Sequence, residues 1–372
     1  MGKYTCNQIY IYSLLIYIVL FLNTCSFAFA KPSLTNQLHT ILKDRLADSS
    51  TPGAVLLISS PDSGTISVAA GLADKEENVP MNITDSFRLA SMSKTFLAVT
   101  VLKLVEDKQL SLDDNIADLL PDSVDADRIP NGNTVTVKQL LQMRSGIPNY
   151  TDYDAYSELI DSMADKEWTP EECIKIIYDK KPNFKPGTAY EYSNTNYLLL
   201  QLIIENVTGE SYAQSVKEYI LTPLHLKNTY IEGQESDDNH YLSTHGYTLE
   251  DDKVVDVTNY DDGFGLADGG MISTAEDINL FVHALLKNKT LLPPKYLKMM
   301  LTFPDDYGFG IGREEIEGEM AWSHNGASSG YQGQYYYFPE RQLTVVILTN
   351  YFDSDIIEDI ASQTLNAIED SE

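Results

Sequence analysis

Strand-forming segments stand at both ends of this chain, and the long stretch between them carries helical periodicity instead. Near the N-terminus, the apolar runs 54–58 and 65–70 flank a Ser-Pro-Asp-Ser-Gly turn, which predicts a β-hairpin. Near the C-terminus, the runs 334–338 and 343–348 flank a Pro-Glu-Arg turn in the same way. Strands at both ends with helices between them predict one sheet assembled from distant parts of the chain.

The helical segments lie mainly between the two hairpins. Residues 95–110 are apolar almost all round, which predicts a buried helix. Further helical patterns cover residues 137–143, 170–179, 195–207, 212–219 and 274–287, and helices at 33–48 and 354–368 flank the hairpins. The predicted class is α/β (α+β), with a sheet lobe built from roughly 31–88 and 305–372 and an all-helical lobe inserted at roughly 89–304.

The first thirty residues have the organisation of a secretory signal peptide. Lys3 precedes an apolar run at residues 9–22, and the segment ends in a small-x-small pattern at residues 28–30. The run is short for a bilayer-spanning helix, which needs about 20 apolar residues. An uncleaved anchor and a lipid-modified Cys25 are the alternatives. We therefore expect an exported protein, periplasmic or secreted, with no stable membrane anchor and a mature domain at residues 31–372.

Charge and cysteine content limit the partners of the chain. The formal net charge is −29 at pH 7, from 26 basic and 55 acidic residues, which repels nucleic acid and anionic lipid surfaces. Cys173 is the one cysteine beyond the signal, so we expect no internal disulfide framework. The six histidines show no metal-ligand spacing, so no metal or cofactor is expected. The oligomeric state stays open.

Residues 87–96 contain a serine and a lysine at helical spacing. Ser91 stands where a polar segment gives way to the buried helix, and Lys94 follows three residues later. Residues at i and i+3 share one face of a helix, so the lysine amine reaches back beside the hydroxyl. A serine hydroxyl becomes a nucleophile when a base takes its proton, and a lysine can be that base if burial lowers its pKa. The alternative is an N-cap serine with a solvated lysine.

Two later segments carry side chains that suit the same chemistry. Tyr192 and Asn194 follow a Pro-Gly break, where the phenol could relay a proton and the amide could hold the lysine and a substrate amide. His324 and Gly326 stand just before the C-terminal hairpin, and the glycine would let a substrate backbone approach the strand. Taken singly, the segments could be an ordinary turn and an ordinary edge strand.

In sequence order, however, the three segments resemble the motifs of the serine penicillin-recognising enzymes: Ser-x-x-Lys, then Tyr-x-Asn, then His-x-Gly. The chain is similar to the group of class C β-lactamases and D-alanyl-D-alanine carboxypeptidases over nearly all of its length after the signal. Residues 140–148 look like the helix-to-loop signature of that family, although Met143 stands where a histidine is common. Residues 269–277 match its Gly-Gly-x-x-Ser-Thr-x-x-Asp segment, and 307–310 with 330–331 match the segments around the third motif.

The resemblance implies a fold and a set of roles. The fold would be a β-lactamase/transpeptidase-like antiparallel five-stranded sheet flanked by helices, with the helical lobe beside it and the active site between them. Ser91 would form an acyl-enzyme while Lys94 and Tyr192 handle the protons. Backbone N–H groups of Ser91 and Ala327 would form the oxyanion hole. Asn194 would orient the substrate amide, His324 would line a pocket for a substrate carboxylate, and all these groups should meet in one cleft.

The third motif departs from one branch of that family. Most class C β-lactamases have Lys-Thr-Gly where this chain has His324, Asn325 and Gly326, and a histidine there is more typical of carboxypeptidases and esterases. Arg313 is a candidate for the missing positive charge. We therefore expect a D-alanyl-D-alanine carboxypeptidase-like serine hydrolase, then an esterase or amidase, then a β-lactamase, acting on a small peptide, ester or β-lactam. A catalytically silent penicillin-binding or sensing domain is the alternative from another functional class.

Overall fold

Strands lie near both ends of the described chain, with most of the helices between them. The computed structural model describes residues 32–156, 169–234, 242–260, 265–352 and 354–371. The helices are α1 (Leu34–Ala47), α2 (Ser93–Glu106), α3 (Val137–Leu141), α4 (Pro170–Lys175), α5 (Asn194–Thr208), α6 (Tyr212–Val216), α7 (Thr222–Leu224), α8 (Ala275–Val282), α9 (Pro294–Met300) and α10 (Ile357–Ser371). The strands are β1 (Gly53–Ser60), β2 (Gly64–Asp74), β3 (Val79–Pro80), β4 (Ser86–Arg88), β5 (Tyr230–Ile231), β6 (Tyr247–Glu250), β7 (Lys253–Asp256), β8 (Met271–Thr274), β9 (Gly312–Ile316), β10 (Glu319–Ser328), β11 (Tyr331–Phe338) and β12 (Leu343–Thr349).

The predicted export signal lies outside these described residues, so it stays a prediction. Within the described ranges, the helices are too short or too polar to span a bilayer.

The two predicted hairpins join in one antiparallel sheet. Its strand order is β3-β2-β1-β12-β11-β10-β9, so β1 from the N-terminal hairpin pairs directly with β12 from the C-terminal one. The register places Ala54 opposite Thr349 and Ile58 opposite Val345. Both central strands are buried along nearly their whole length, as expected of unbroken apolar runs covered on both faces.

The antiparallel sheet flanked by helices is confirmed, but the expected count of five strands is wrong, because the sheet has seven. The two additional strands are the edge strands β3 and β9. The first has two residues and contains a proline, and the second alternates with exposed charged side chains. Edge strands need little apolar surface, so neither produces the apolar run that identifies a strand in a sequence.

The region between the hairpins is also not wholly helical. It contains a three-stranded sheet in the order β4-β8-β5 and the separate hairpin β6–β7. Strands of two to four residues are too short to show an alternating pattern, which explains why the sequence predicted only helices there.

Two apolar cores lie on opposite faces of the seven-stranded sheet. Val55 and Leu57 of β1 belong to the core that contains α2 and α5, whereas Leu56 and Ile58 belong to the core under α1 and α10. This alternation follows from the period of two along a strand. Helix α2 is buried on almost every side, as its sequence predicted. The turn before it packs against β10 and β11, so the N-terminal end of the helix lies where the sheet meets the helices.

Candidate active site

Ser91 lies in a tight turn between β4 and α2. A single 3₁₀ turn, Ala90–Met92, precedes the helix, and Ala90 has a φ of 46°. That left-handed conformation costs a residue with a side chain about 1 kcal/mol. Strand β8 holds the turn in place, because Leu89 N donates to Met271 O at 2.8 Å. The strained turn presents the Ser91 hydroxyl at the start of the buried helix.

Strand β10 supports this turn from the other side. A Cβ atom placed on Gly326 would lie 2.1 Å from Leu89 O and 3.0 Å from Ser91 N. The sequence-based interpretation of Gly326 as a place for substrate backbone stays a prediction, and the structure gives the glycine a second role. The backbone that approaches Gly326 is the chain's own turn before the candidate nucleophile, and the glycine is needed for the turn to fit.

Gly326→Ala is expected to lower the free energy of unfolding by about 2–3 kcal/mol, since overpacking a closed site costs typically 1–3 kcal/mol. Displacement of the turn should also remove hydrolytic activity. Gly312→Ala on the neighbouring strand is the matched control, because a Cβ there would make ordinary contacts, the nearest at 3.5 Å. Urea denaturation of both variants checks the difference, and equal stabilities would contradict this account of Gly326.

Ser91, Lys94 and Tyr192 are in direct contact. Lys94 Nζ donates to Ser91 Oγ at 2.8 Å, and the Tyr192 hydroxyl donates to the same oxygen at 2.8 Å. The spacing of Ser91 and Lys94 along the helix therefore produces the expected contact. Tyr192 reaches the pair from the loop before α5, 101 positions along the chain. A base and a proton donor both reach the one oxygen that could attack a carbonyl carbon.

The environment of Lys94 favours its neutral form. The side chain is fully buried, and its amine lies 5.1 Å from the ring centre of Tyr192 and 5.7 Å from that of Tyr197. Burial lowers the pKa of Lys94 to about 8, although the nearby Asp268 carboxylate acts in the opposite direction. The amine also donates to the Asp268 carbonyl oxygen at 2.5 Å, which fixes its position. A lysine with this pKa can accept the serine proton near neutral pH.

Tyr192 is suited to donating a proton. Burial raises the pKa of its phenol well above the usual range, so the hydroxyl stays protonated at any pH at which the protein works. Lys94 loses its proton near pH 8 whereas Tyr192 keeps its own, so a group that can become a base and a group that stays an acid both contact Ser91.

Acylation of Ser91 is expected to rise with pH and level off above about pH 8. Protonated Lys94 cannot accept the serine proton, and below its pKa the neutral fraction falls about tenfold per pH unit. In Asp268→Asn the negative charge that raises the pKa of Lys94 is gone, so the rising limb should move to lower pH. The pH dependence of kcat/KM on a neutral ester measures both effects.

Glu340→Gln is the control for Asp268→Asn, because it removes an exposed carboxylate. It should leave the rising limb of the pH profile where it is in the parent protein. If Asp268→Asn does not move the rising limb either, the assignment of Lys94 as the base is contradicted.

The cleft beside Ser91 has about 550 Å³ of open space. Three of the sequence-predicted site residues line it: Ser91, Asn194 and Ala327. The backbone of Asn194 is anchored by its N–H, which donates to Asn149 Oδ1 at 3.0 Å. The expected oxyanion-hole residues Ser91 and Ala327 thus border the same space, across the close approach at Gly326.

Four further candidates line a second cleft, and Lys94 and Gly326 line neither of the two. His324, Asn325 and Arg313 border it together with Tyr192, whose hydroxyl contacts Ser91. Tyr192 therefore connects the space beside Ser91 with the space beside His324, and Tyr307 packs against both Tyr192 and His324. The division follows position along β10: residues 323–325 border the second cleft, whereas Ala327 and Ser328 border the first.

His324 is neutral and has a defined tautomer. Its Nδ1 lies 2.7 Å from Asn325 O, which can only accept, so Nδ1 carries the proton. Nε2 therefore accepts from the Tyr307 hydroxyl, 3.0 Å away. Burial, together with the nearby charge of Lys94, lowers the pKa of His324 to about 3. A neutral imidazole with both nitrogens engaged offers no positive charge to a substrate carboxylate.

Sequence reasoning missed the charged groups of the first cleft. Arg88 forms a bidentate ion pair with Glu232, with N–O distances of 2.8 and 3.0 Å, and both residues line the cleft. The Asp268 carboxylate lies there too and accepts from the Tyr150 hydroxyl at 2.9 Å. Two signals were available: Arg88 stands between Phe87 and Leu89, three residues before Ser91, and Asp268 directly precedes the Gly269-Gly270 pair.

Metal-ligating side chains come together elsewhere in the described part of the chain, at Asp74, Glu76 and His245. These residues border neither of the two clefts.

Known proteins are similar to this chain in sequence and in fold. The Beta-lactamase family model matches residues 38–365. The chain is 28% identical over 339 residues to "Protein flp" of Staphylococcus aureus strain MRSA252, covering 89% of this chain and 66% of that protein. It is 25% identical over 311 residues to a D-aminopeptidase of Cereibacter sphaeroides, covering 81% of this chain and 57% of that one. The chain thus spans less than two thirds of the length of these curated relatives.

A solved structure is similar over the whole domain. D-amino acid amidase from Ochrobactrum anthropi SV3 superposes with a TM-score of 0.79 at 26% identity, over 91% of this chain and 99% of that one.

Proposed function

Since this chain belongs to the beta-lactamase family of serine hydrolases, we propose that it is an amidase that cleaves small amides through an acyl-enzyme on Ser91. The observation that supports this most directly is the shared contact of Lys94 and Tyr192 with Ser91 Oγ. Amide hydrolysis needs a base for the nucleophile and an acid for the departing nitrogen, and the pKa of Lys94 is lowered while that of Tyr192 is raised.

The proposed reaction has two stages. Ser91 Oγ attacks the amide carbonyl carbon as its proton passes to neutral Lys94, and the N–H groups of Ser91 and Ala327 stabilise the oxyanion. Tyr192 gives its proton to the leaving nitrogen as the C–N bond breaks, and the Lys94 ammonium restores it. Water then attacks the ester, its proton passes to Lys94, and the C–O bond breaks with the proton returning to Ser91. Asn194 orients the substrate amide.

The charge of the two clefts favours an amide over a peptide with a free C-terminal carboxylate. Arg313 is the one basic side chain among the described lining residues of the second cleft, and its Nε already donates to Asp306 at 2.8 Å. Glu314 borders the same cleft, and Glu232 and Asp268 border the first. A terminal carboxylate would enter a site rich in carboxylates. The likeness to a D-amino acid amidase and a D-aminopeptidase supports acyl donors of D configuration.

The D-alanyl-D-alanine carboxypeptidase reaction is the second candidate, and Arg313 is the observation that favours it. If Arg313 leaves Asp306 when substrate binds, its guanidinium could pair with the terminal carboxylate.

A matched substrate pair separates the two proposals. Kinetics would be measured on a D-amino acid amide, on a peptide ending in D-Ala-D-Ala, and on the same peptide with its C-terminus amidated. We expect the amidated peptide to exceed the free acid in kcat/KM by at least about tenfold, or ~1.4 kcal/mol of barrier. Arg313→Gln should then leave both rates within about threefold.

Preference for the free acid, lost in Arg313→Gln, would establish the carboxypeptidase instead. Intact-mass spectrometry with a fluorophosphonate and a β-lactam completes the test. Stoichiometric labelling without turnover of any substrate would identify a binding or sensing domain.

A further inference from the structure

Asp74, Glu76 and His245 form a cluster where β2 ends and the chain turns towards β3. One potential ligand atom from each side chain lies within 4.8 Å of the other two. We propose that this cluster binds a divalent transition-metal ion at a site separate from the clefts around Ser91. The spacing of histidines in the sequence could not show it, because folding brings the segment of Glu76 against that of Tyr247, 171 positions away.

The backbone holds the two segments of the cluster together. His245 N donates to Ala73 O at 2.8 Å, which places the imidazole directly beside Asp74. The buried Asn350 side chain donates to Leu72 O at 3.0 Å and to His245 O at 2.9 Å. Because the strand β2 and the segment before β6 are fixed to each other, the three side chains start from a defined arrangement.

Each carboxylate of the cluster is held by one oxygen. Asp74 Oδ1 accepts from Glu77 N at 2.9 Å. Glu76 Oε2 accepts from the Tyr247 hydroxyl at 2.6 Å, and that hydroxyl in turn accepts from Lys75 N at 2.8 Å. The second oxygen of each carboxylate has no hydrogen-bond donor among the described residues, so it is available to a cation.

His245 is oriented in the same manner. Its Nδ1 lies 2.7 Å from Asp256 Oδ2, and Asp256 Oδ1 accepts from Thr258 N at 2.8 Å. In the neutral imidazole, the carboxylate accepts the Nδ1 proton, which leaves the Nε2 lone pair for a metal ion. A carboxylate behind a histidine is the usual support of a metal-bound imidazole.

The spacing of His245 and Asp74 also suits a metal ion. His245 Nε2 lies 3.7 Å from Asp74 Oδ2, which is too long for a hydrogen bond. Two ligands of a tetrahedral Zn²⁺ ion with bonds of ~2.0–2.1 Å lie about 3.3 Å apart.

The donor set selects the kind of ion. Two carboxylates and a neutral imidazole balance a divalent charge, and imidazole favours Zn²⁺ and its neighbours over Ca²⁺ and Mg²⁺, which prefer oxygen ligands throughout. The exposed position of Glu76 leaves room for water in the remaining coordination positions. The competing explanation is a protonated His245 paired with the surrounding carboxylates, without any metal.

Isothermal titration calorimetry of the full chain with Zn²⁺, after treatment with a chelator, tests the proposal. We expect one equivalent to bind, with Ca²⁺ and Mg²⁺ at least about tenfold weaker. His245→Gln and Asp74→Asn should each weaken Zn²⁺ binding by about 100-fold or more, and Asp256→Asn by about 10- to 100-fold. Glu77→Gln is the matched control: it removes an adjacent exposed carboxylate but keeps the N–H that holds Asp74, so affinity should stay within about threefold.

Ser91→Ala should bind Zn²⁺ as the parent protein does, because the site lies outside the catalytic clefts. Thermal unfolding gives a second readout, since an ion that binds only the folded state raises Tm in the parent protein and in Glu77→Gln but not in His245→Gln. Absence of Zn²⁺ binding would contradict the proposal and favour the explanation in which a protonated His245 pairs with the surrounding carboxylates. Binding that survives in both His245→Gln and Asp74→Asn would move the site elsewhere, and tighter binding of Ca²⁺ than of Zn²⁺ would contradict the choice of ion.

Discussion

Ser91→Ala is expected to abolish covalent labelling by a fluorophosphonate and to lower kcat/KM by at least about 10⁴-fold, the scale seen when a nucleophile is removed. The hydroxyl oxygen of Ser91 is the atom that both Lys94 and Tyr192 contact, so no neighbouring group can replace it. The folded structure should persist, because the side chain is only half-buried and the methylene group stays. Intact-mass spectrometry and thermal unfolding measure the two results.

Ser93→Ala is the control for that experiment. Ser93 stands two residues further on and is fully buried, and its Oγ accepts from Met271 N at 3.3 Å rather than contacting the cleft. It should label like the parent protein. Covalent labelling of the Ser91→Ala protein would contradict the assignment of Ser91 as the nucleophile of the proposed reaction.

Lys94→Met is expected to lower kcat/KM by roughly 10³–10⁴-fold, towards the upper end of the contribution of a general base. Methionine fills nearly the same volume but cannot take the serine proton. The free energy of unfolding should change by less than about 1.5 kcal/mol, as for other swaps that conserve volume. Burial of the amine opposes its charge, which is why the pKa of Lys94 is about 8, and a thioether has no such cost.

Lys103→Met makes the same change on the same helix. Lys103 is partly exposed and pairs with Glu106 at 3.0 Å, so activity should be retained. Equal activity losses in the two variants would point to a general effect on α2. A Lys94→Met protein with near-normal turnover would assign the role of base to another group.

Helical periodicity and hydrophobicity predicted the features of the site that lie within one continuous segment of the chain. The contact of Ser91 with Lys94 follows from the period of the helix, and the buried α2 follows from its apolar sequence. The pairing of Tyr192 with Ser91 required the motif order, since 101 positions separate them and no local pattern connects them.

The features that sequence reasoning missed or misread depend on contacts between distant segments. The sequence did not reveal that Leu89 O, from the turn before Ser91, lies where a side chain at position 326 would stand. His324 looked like a group for binding an anion, but burial and the Tyr307 hydroxyl make it a neutral acceptor. The burial and the charge state of a side chain depend on which distant segments pack against it, and the order of residues along the chain does not show that packing.

The pairing of β1 with β12 also determines how the chain must fold. Asn350, just after β12, donates to Leu72 O across 278 positions, so the middle of the sheet closes only when the last part of the chain is present. Contacts of such high sequence separation slow folding, because the loop between them must lose its freedom before any pairing compensates. A chain that stops before Leu343 would leave β1 as an exposed apolar edge and be prone to aggregate. We therefore expect the active site to assemble only after β12 is available to pair with β1.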